Sequence, residues 1–257
     1  MVQQPDGTFA GHTSAAYANM VGPFGGISAA QVMHAVLMHP QRLGEPVSLT
    51  INFAAALSDG PFVINAHPAR TNRSTQHWLI DVQQNGESVL TGTAFTALRR
   101  ETWSLDEQTL PASPAPAEVP LALNGIPMAW VQQYEMRPIV GGMPEVWDGS
   151  GDSSLTQLWV RDQPPRPLDF ASLTALADVF FPRLFVRRAT AVPVGTVTMT
   201  VYVHANTEQL QATGRGYLLA QARAQAFRNG YFDHSAQLWN EAGVLLATTH
   251  QLVYYKN

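Results

Sequence analysis

The chain has 257 residues, no Cys, 46% hydrophobic and only 13% charged residues, with 15 Lys+Arg against 19 Asp+Glu and a formal charge of −4. The missing Cys excludes a disulfide scaffold, a thiolate metal site and a Cys nucleophile, and the acidic balance speaks against a nucleic-acid partner. A charged fraction about half the ~25% of an ordinary soluble domain implies that much surface is hidden, in a large core, in an interface between copies, or both.

Met1–Gly7 has no basic patch followed by an apolar run. No stretch approaches the ~18 apolar residues of a membrane span; the longest, 173–186, is broken by Asp178, Pro182 and Arg183. The expectation is a cytoplasmic protein with no membrane partner. Gly22-Pro23-Phe24-Gly25-Gly26 then opens a helix from Ile27 to about Met38, ended by Pro40. Its few polar side chains predict burial on nearly all sides. Four strands follow, at 47–54, 62–70, 76–84 and 88–98, the last two joined by the hairpin turn Asn85-Gly86.

Residues 101–128 are rich in Pro and Ala and read as an extended, solvated connector. Beyond it, strands are expected at 131–138 and 155–161, with a mobile loop around Asp148–Asp152 between them. That loop lacks the terminal Glu of a calcium site. A helix follows from Asp169 to Phe181, with Asp169 as N-cap and Pro182 as stop. Strands complete the chain at 195–204, 209–227, 231–240 and 244–254. The eight His show no metal-ligand spacing, and His34 reads as a core-helix histidine. No metal or cofactor is expected.

Each side of the connector thus repeats one order: a buried helix, then a meander of strands. Ser48–Phe53 lies over Thr198–Val203 at a shift of 150, and Asn85–Thr93 over Glu241–Thr249 at a shift of 156. The chain divides into two repeats, 1–100 and 129–257, around the connector 101–128.

The motifs resemble the type II acyl-CoA thioesterase (TesB-like) family. They are Phe24-Gly25-Gly26 before the first helix, Arg70-Thr71-Asn72-Arg73-Ser74 with Gln83-Gln84-Asn85-Gly86, Leu158–Arg161, Ala175–Asp178, Thr196–His204 and Thr248–Gln251. Their order and spacing, more than any single one, carry the resemblance. It implies an α+β double hotdog, each repeat a long central helix wrapped by an antiparallel sheet. It implies an acyl-CoA substrate and a homodimer or higher homo-oligomer. The family's water-activating group then falls on Asp178, Thr196 and Gln251, with Thr198 as the alternative hydroxyl if the register slips by two. Asn72 stands where the family often has Gly.

Asp178 sits among Leu176, Ala177, Val179, Phe180 and Phe181 near the expected end of its helix. Apolar surroundings and the negative end of a helix dipole both raise a carboxyl pKa toward useful basicity. Thr196 and Gln251 supply hydrogen bonds to hold it or a water. Gly25 and Gly26 open a helix, whose free N–H groups suit an oxyanion, though a plain tight turn also uses them. Arg70 and Arg73, and Arg187 with Arg188, offer guanidinium forks for the phosphates of CoA, or solvated loop positions. At the shift of 156, Gln251 lies over Phe95, which suggests one working and one degenerate site. Two rivals stay open: a non-catalytic acyl-CoA or acyl-carrier binding protein, and a double-hotdog enoyl-CoA hydratase. The hydratase pattern needs a His five residues after its Asp, where this chain has Arg183.

Overall fold

The alternation of apolar and polar residues becomes strands, and the apolar run after Gly26 becomes a helix. The computed structural model describes residues 1–121 and 127–256; residues 122–126 of the expected connector lie outside them. In chain order the elements are β1 (Val2–Gln3), β2 (Phe9–His12), α1 (Gly25–Met38), β3 (Glu45–Phe53), β4 (Pro61–Thr71), β5 (Thr75–Gln84) and β6 (Glu87–Ala97). Then come β7 (Tyr134–Val140), β8 (Thr156–Asp162), α2 (Phe170–Leu176), α3 (Arg183–Arg188), β9 (Val194–Val203), α4 (Thr207–Thr213), β10 (Leu218–Arg223), β11 (Phe227–Arg228), β12 (Tyr231–Asn240) and β13 (Leu245–Tyr255).

The strands form one antiparallel sheet in the order β1-β2-β4-β5-β6-β3-β9-β13-β12-β10-β8-β7, with β11 on the side of β12. β3 and β9 join the halves in the middle, and there Thr50 faces Thr200 with their hydroxyls 3.0 Å apart. That pairing is what a shift of 150 requires, because a strand and its copy related by a two-fold axis meet antiparallel at equivalent residues. The bulges repeat too. β3 bulges between Pro46 and Ser48, and β9 between Thr196 and Thr198.

The shift grows along the sheet. Trp78 pairs with Ala94 on β5–β6, and His234 with Gln251 on β12–β13. The second hairpin turn holds Glu241–Gly243, with the Asn240 N–H on the Val244 carbonyl, where the first holds only Asn85-Gly86, both at positive φ. The count from the β3–β9 pairing outward therefore sets β13 one residue off the shift of 156. The position equivalent to Gln251 is Ala94, not Phe95. One residue of slip reverses the face of a strand: Ala94 is buried under the sheet, while Phe95 packs on His77 on the other side.

The helices differ more than the repeat suggests. α1 runs fourteen residues and buries its length in the core. α2 is capped by Asp169, whose carboxylate accepts the Ser172 N–H at 2.7 Å, but it ends at Leu176 rather than at Phe181. The Asp178 N–H reaches back only to the Ala175 carbonyl, a tightened last turn. Pro182 then demands an extended residue before it, so the chain unwinds across 177–182 and restarts as α3. A long central helix is thus present in the first half only.

Two strand expectations and one loop expectation change locally. Residues 129–133 form a 3-10 turn, with the Trp130 N–H on the Ala18 carbonyl. The expected strand 209–227 begins instead with α4, started by a reciprocal Asn206–Gln209 capping box. Gly214, at positive φ, ends it. The 141–154 loop is held in place: Arg183 and Arg187 donate to the carbonyls of Ser154 and Gly151.

Among the described residues of the connector, 101–121 carry no strand and one 3-10 turn at Pro116–Glu118, and they are not simply solvated. The Trp159 and Trp239 indoles donate to the carbonyls of Pro114 and Gln108, and Val119 is buried against Trp159, Tyr217 and Leu219. It straps the outer face of β8, β10 and β12, which would otherwise expose those aromatic residues.

Candidate active site

The start of α1 meets the end of α2 at the seam between the halves. No side chain larger than hydrogen fits there. A Cβ on Gly26 would stand 2.7 Å from the Ala175 carbonyl oxygen, and one on Gly25 would stand 2.9 Å from Asp178 Oδ2. The two glycines therefore let the helices touch and bring Asp178 under the first turn of α1. Phe24 fixes this junction by stacking on Trp130, with ring centres 4.3 Å apart.

A cavity of about 340 Å³ opens at this junction. The first half gives it Phe24, Gly25 and the 53–57 segment; the second gives it Asp178, Thr196, His234, Gln251 and a wall of Phe and Val. Gln251 Nε2 donates to Asp178 Oδ1 at 2.7 Å, and the Thr196 hydroxyl donates to Gln251 Oε1 at 3.3 Å. The amide is thus oriented by its two neighbours, with its N–H end toward the carboxylate. The Gly26 N–H faces the same carboxylate. Burial raises the Asp178 carboxyl to about 7, against the opposing pull of Gln251 and Gly26, which favour the charged form. The part of Asp178 that protein does not cover opens into the cavity.

The bulge explains how Thr196 arrives. Met199 faces Gln251 on the inner side, and simple alternation would send Thr196 outward. The bulge at Val197 turns Thr196 in, opposite Val253, and leaves Thr198 opposite Leu252 on the outer side. Bulges re-aim side chains in this way. Of the two hydroxyls, Thr196 is the one that lines the cavity.

The chain matches the family model for the acyl-CoA thioesterase N-terminal domain over residues 14–97 and that for the C-terminal domain over 106–255. The chain belongs to the acyl-CoA thioesterase family. It is a thioester hydrolase by that membership, and its sheet is of the hotdog type. A hotdog-fold protein of unknown function from Alicyclobacillus acidocaldarius is 49% identical, with a TM-score of 0.92 over 97% of this chain and 93% of that one. The acyl-CoA thioesterase II TesB2 of Mycobacterium marinum shares the fold at 17% identity and a TM-score of 0.78, over 99% and 95% of the two chains. A tesB protein of Mycobacterium avium subs paratuberculosis does so at 17% and 0.75, over 97% and 93%. No curated protein matches.

The four arginines assigned to CoA by this thioesterase's sequence are dispersed. Arg70 and Arg73 flank the β4–β5 turn, which Gln76 ties to Gln41 and Leu43 just past the far end of α1. Fourteen residues of helix put that turn ~21 Å from Gly25, and neither Arg lines the cavity. Arg187 and Arg188 are exposed at the end of α3, whose Phe185 does line it. Two residues were missed. His234 sits on the cavity wall, and Arg183 is wholly buried behind Phe180, its guanidinium on the carbonyls of Phe181 and Ser154 and on the Thr156 hydroxyl. Burial lowers the Arg183 guanidinium to about 9. His234 had a signal: it breaks the inward apolar series Phe232, Ala236, Leu238 of β12. The position of Arg183 at the start of α3 gave none.

Proposed function

We propose that this thioesterase cleaves acyl-CoA by attack of a water that Asp178 deprotonates, with Gln251 and Thr196 holding the geometry. Water adds to the thioester carbonyl carbon while its proton passes to Asp178. The resulting oxyanion faces the N-terminus of α1. The Gly26 N–H is engaged by Asp178, so the carbonyl falls to the Gly25 N–H and the positive end of the helix. The intermediate collapses by breaking the C–S bond. The free acid and CoA leave, and the proton on Asp178 goes to the thiolate or to solvent. Arg187 and Arg188, next to the cavity, are the better-placed pair for the CoA phosphates. The single observation that carries the reading is a carboxyl held near neutral pKa in a cavity, with an amide donor already on one oxygen.

The test is release of free CoA from a panel of acyl-CoAs by wild type and Asp178→Asn. Release by wild type and its collapse in the variant support the reading. Saturable acyl-CoA binding without release would favour a binding protein, and hydration of an enoyl-CoA with its thioester intact would favour a hydratase.

A further inference from the structure

Residues 17–24 fold back on themselves just before α1. The Phe24 N–H donates to the Tyr17 carbonyl at 2.8 Å, and the Asn19 N–H donates to the Gly22 carbonyl at 2.9 Å. The tip of this turn, Met20 and Val21, is 56% and 75% exposed and also lines the cavity. The turn is therefore the rim of the cavity mouth. Trp130, from the second half, holds it: the indole Nε1–H donates to Asn19 Oδ1 at 3.3 Å. An indole N–H only donates, so the Asn19 amide turns its oxygen to Trp130 and its NH2 group away. Asn19 is partly buried and borders the cavity. Among the described residues Nδ2 has no hydrogen-bond partner, and it is not sealed from solvent. The rest of the rim, with Pro23, Pro182, Val194 and Tyr254, is mostly carbon, and among the described residues no Arg or Lys lines the cavity.

We propose that Asn19 Nδ2 donates a hydrogen bond to an amide carbonyl of the pantetheine arm of CoA, so that this chain holds its substrate by that arm rather than by the nucleotide. The arm is the neutral stretch of CoA between the thioester sulfur and the phosphates. It carries two amides on short carbon segments, and each amide carbonyl needs a donor when it leaves water. An apolar mouth with one placed donor fits such a chain. It does not fit a phosphate, which calls for cations. The order along the cavity agrees. Gly25 and Asp178 stand where the helices meet and the thioester carbonyl is attacked, while Asn19 stands at the rim, through which the arm leaves. The phosphates follow beyond the rim, where the exposed Arg187 and Arg188 add little. The turn comes from the first half and Trp130 from the second, so this contact, like the site itself, exists only at the seam. The inference takes the cavity as the thioester site and so rests on the thioesterase reading above.

The experiment uses the hexanoyl thioesters of CoA, of pantetheine, which lacks the nucleotide, and of mercaptoethanol, which lacks the amides as well. Thiol release gives kcat/KM for wild type, Asn19→Asp and Asn19→Ala. Wild type is expected to cleave the pantetheine ester within a few-fold of the CoA ester, and the mercaptoethanol ester about tenfold more slowly or worse. Asn19→Asp keeps the acceptor for the Trp130 indole and loses only the donor. It should lower kcat/KM for the CoA and pantetheine esters by about tenfold and leave the mercaptoethanol ester unchanged, and Asn19→Ala should do the same. Reading the ratio between esters on one variant cancels any change at Asp178 that all three share. Equal losses on all three esters would make Asn19 a purely structural residue and overturn the proposal. So would a CoA ester favoured over the pantetheine ester by more than the pantetheine ester is favoured over the mercaptoethanol one. Should one variant fail to fold, the other decides. Absence of thiol release from every ester defeats the thioesterase reading instead. The Kd of hexanoyl-pantetheine by calorimetry then decides the role of Asn19: about tenfold weaker in Asn19→Asp supports it, and equal values sink it.

Discussion

The two halves match in sheet register down to their bulges, yet they fill the inner face with opposite chemistry. Under the second half lie Asp178, Thr196, His234 and Gln251. The equivalent sheet positions of the first half hold Pro46, Trp78 and Ala94. Counted from the helix N-caps, the position of Asp178 is taken by Met33, which is fully buried. Each of these four polar side chains therefore has an aliphatic, aromatic or thioether counterpart on the other side of the pseudo-two-fold axis. The cost of burying a carboxylate explains the division. It is tolerable only where an amide and a helix N-terminus favour the charge, and one such site leaves the other half free to pack tightly. The shortened α2 belongs to the same division. Its early end frees the backbone at 177–182 to place Asp178 in the cavity, whereas α1 continues for fourteen residues as pure core.

The largest expected effect separates the two halves outright. Asp178→Asn should lower kcat for acyl-CoA hydrolysis by ~10²–10⁴, the usual worth of a general base, while Met33→Leu should leave kcat within about twofold, since volume-conserving core changes cost little. Steady-state CoA release on both variants checks this. Comparable losses in the two would dissolve the distinction between working and degenerate site.

The next test exchanges the amide. Gln251→Ala removes a group that favours the ionised carboxyl, so the pKa of Asp178 moves up. In wild type the acidic limb of kcat/KM should fall away below about pH 7, where Asp178 gains its proton. In Gln251→Ala that limb should shift to higher pH. The converse change, Ala94→Gln, puts an unpaired amide into a packed core and should cost ~1–3 kcal/mol without adding activity. A limb that stays in place in Gln251→Ala would remove the amide from the tuning of Asp178.

Stability gives a third contrast. Because the folded pKa of Asp178 is raised above its unfolded value, the folded state holds the proton more tightly. The contribution is full below about pH 4 and is lost as pH rises through about 7. Asp178→Asn should therefore raise Tm relative to wild type at pH 8, and the gap should close toward pH 4. Thermal melts across that range read the sign directly. Gly26→Ala should instead destabilise at every pH, by ~1–3 kcal/mol, because its methyl group meets the Ala175 carbonyl.

The smallest expected effect concerns CoA. Arg187→Ala and Arg188→Ala should raise KM by a few-fold, as loss of an exposed charge contact does. Arg70→Ala and Arg73→Ala, beyond the far end of α1, should leave KM nearly unchanged. The reverse order would place the CoA phosphates on the first half.

Much of this was legible along the chain. Period-two alternation and the Asn85-Gly86 turn marked β3 to β6 to within a residue or two, since local sterics and face burial fix them, but not the short β1 and β2. The shift of 150 already contained the central Thr50–Thr200 pairing. Asp178, Thr196 and Gln251 stood out by resemblance, and the structure brings them together. What local pattern could not carry was anything that depends on counting across the sheet. A turn one residue longer, at 241–243, shifted the repeat by one and made Phe95 look like the counterpart of Gln251.

By itself, then, the sequence determined the long strands, the first helix and the family, because propensity, periodicity and motif order are properties of neighbours along the chain. Only the tertiary structure decided which residues share a cavity. A bulge at Val197 turned Thr196 inward, Pro182 unwound the end of α2 beneath the glycines of α1, and strand pairing set His234 beside Gln251. These juxtapositions arise between segments far apart in the chain, and burial, which sets the charge states of Asp178, Arg183 and His234, exists only once those segments have met.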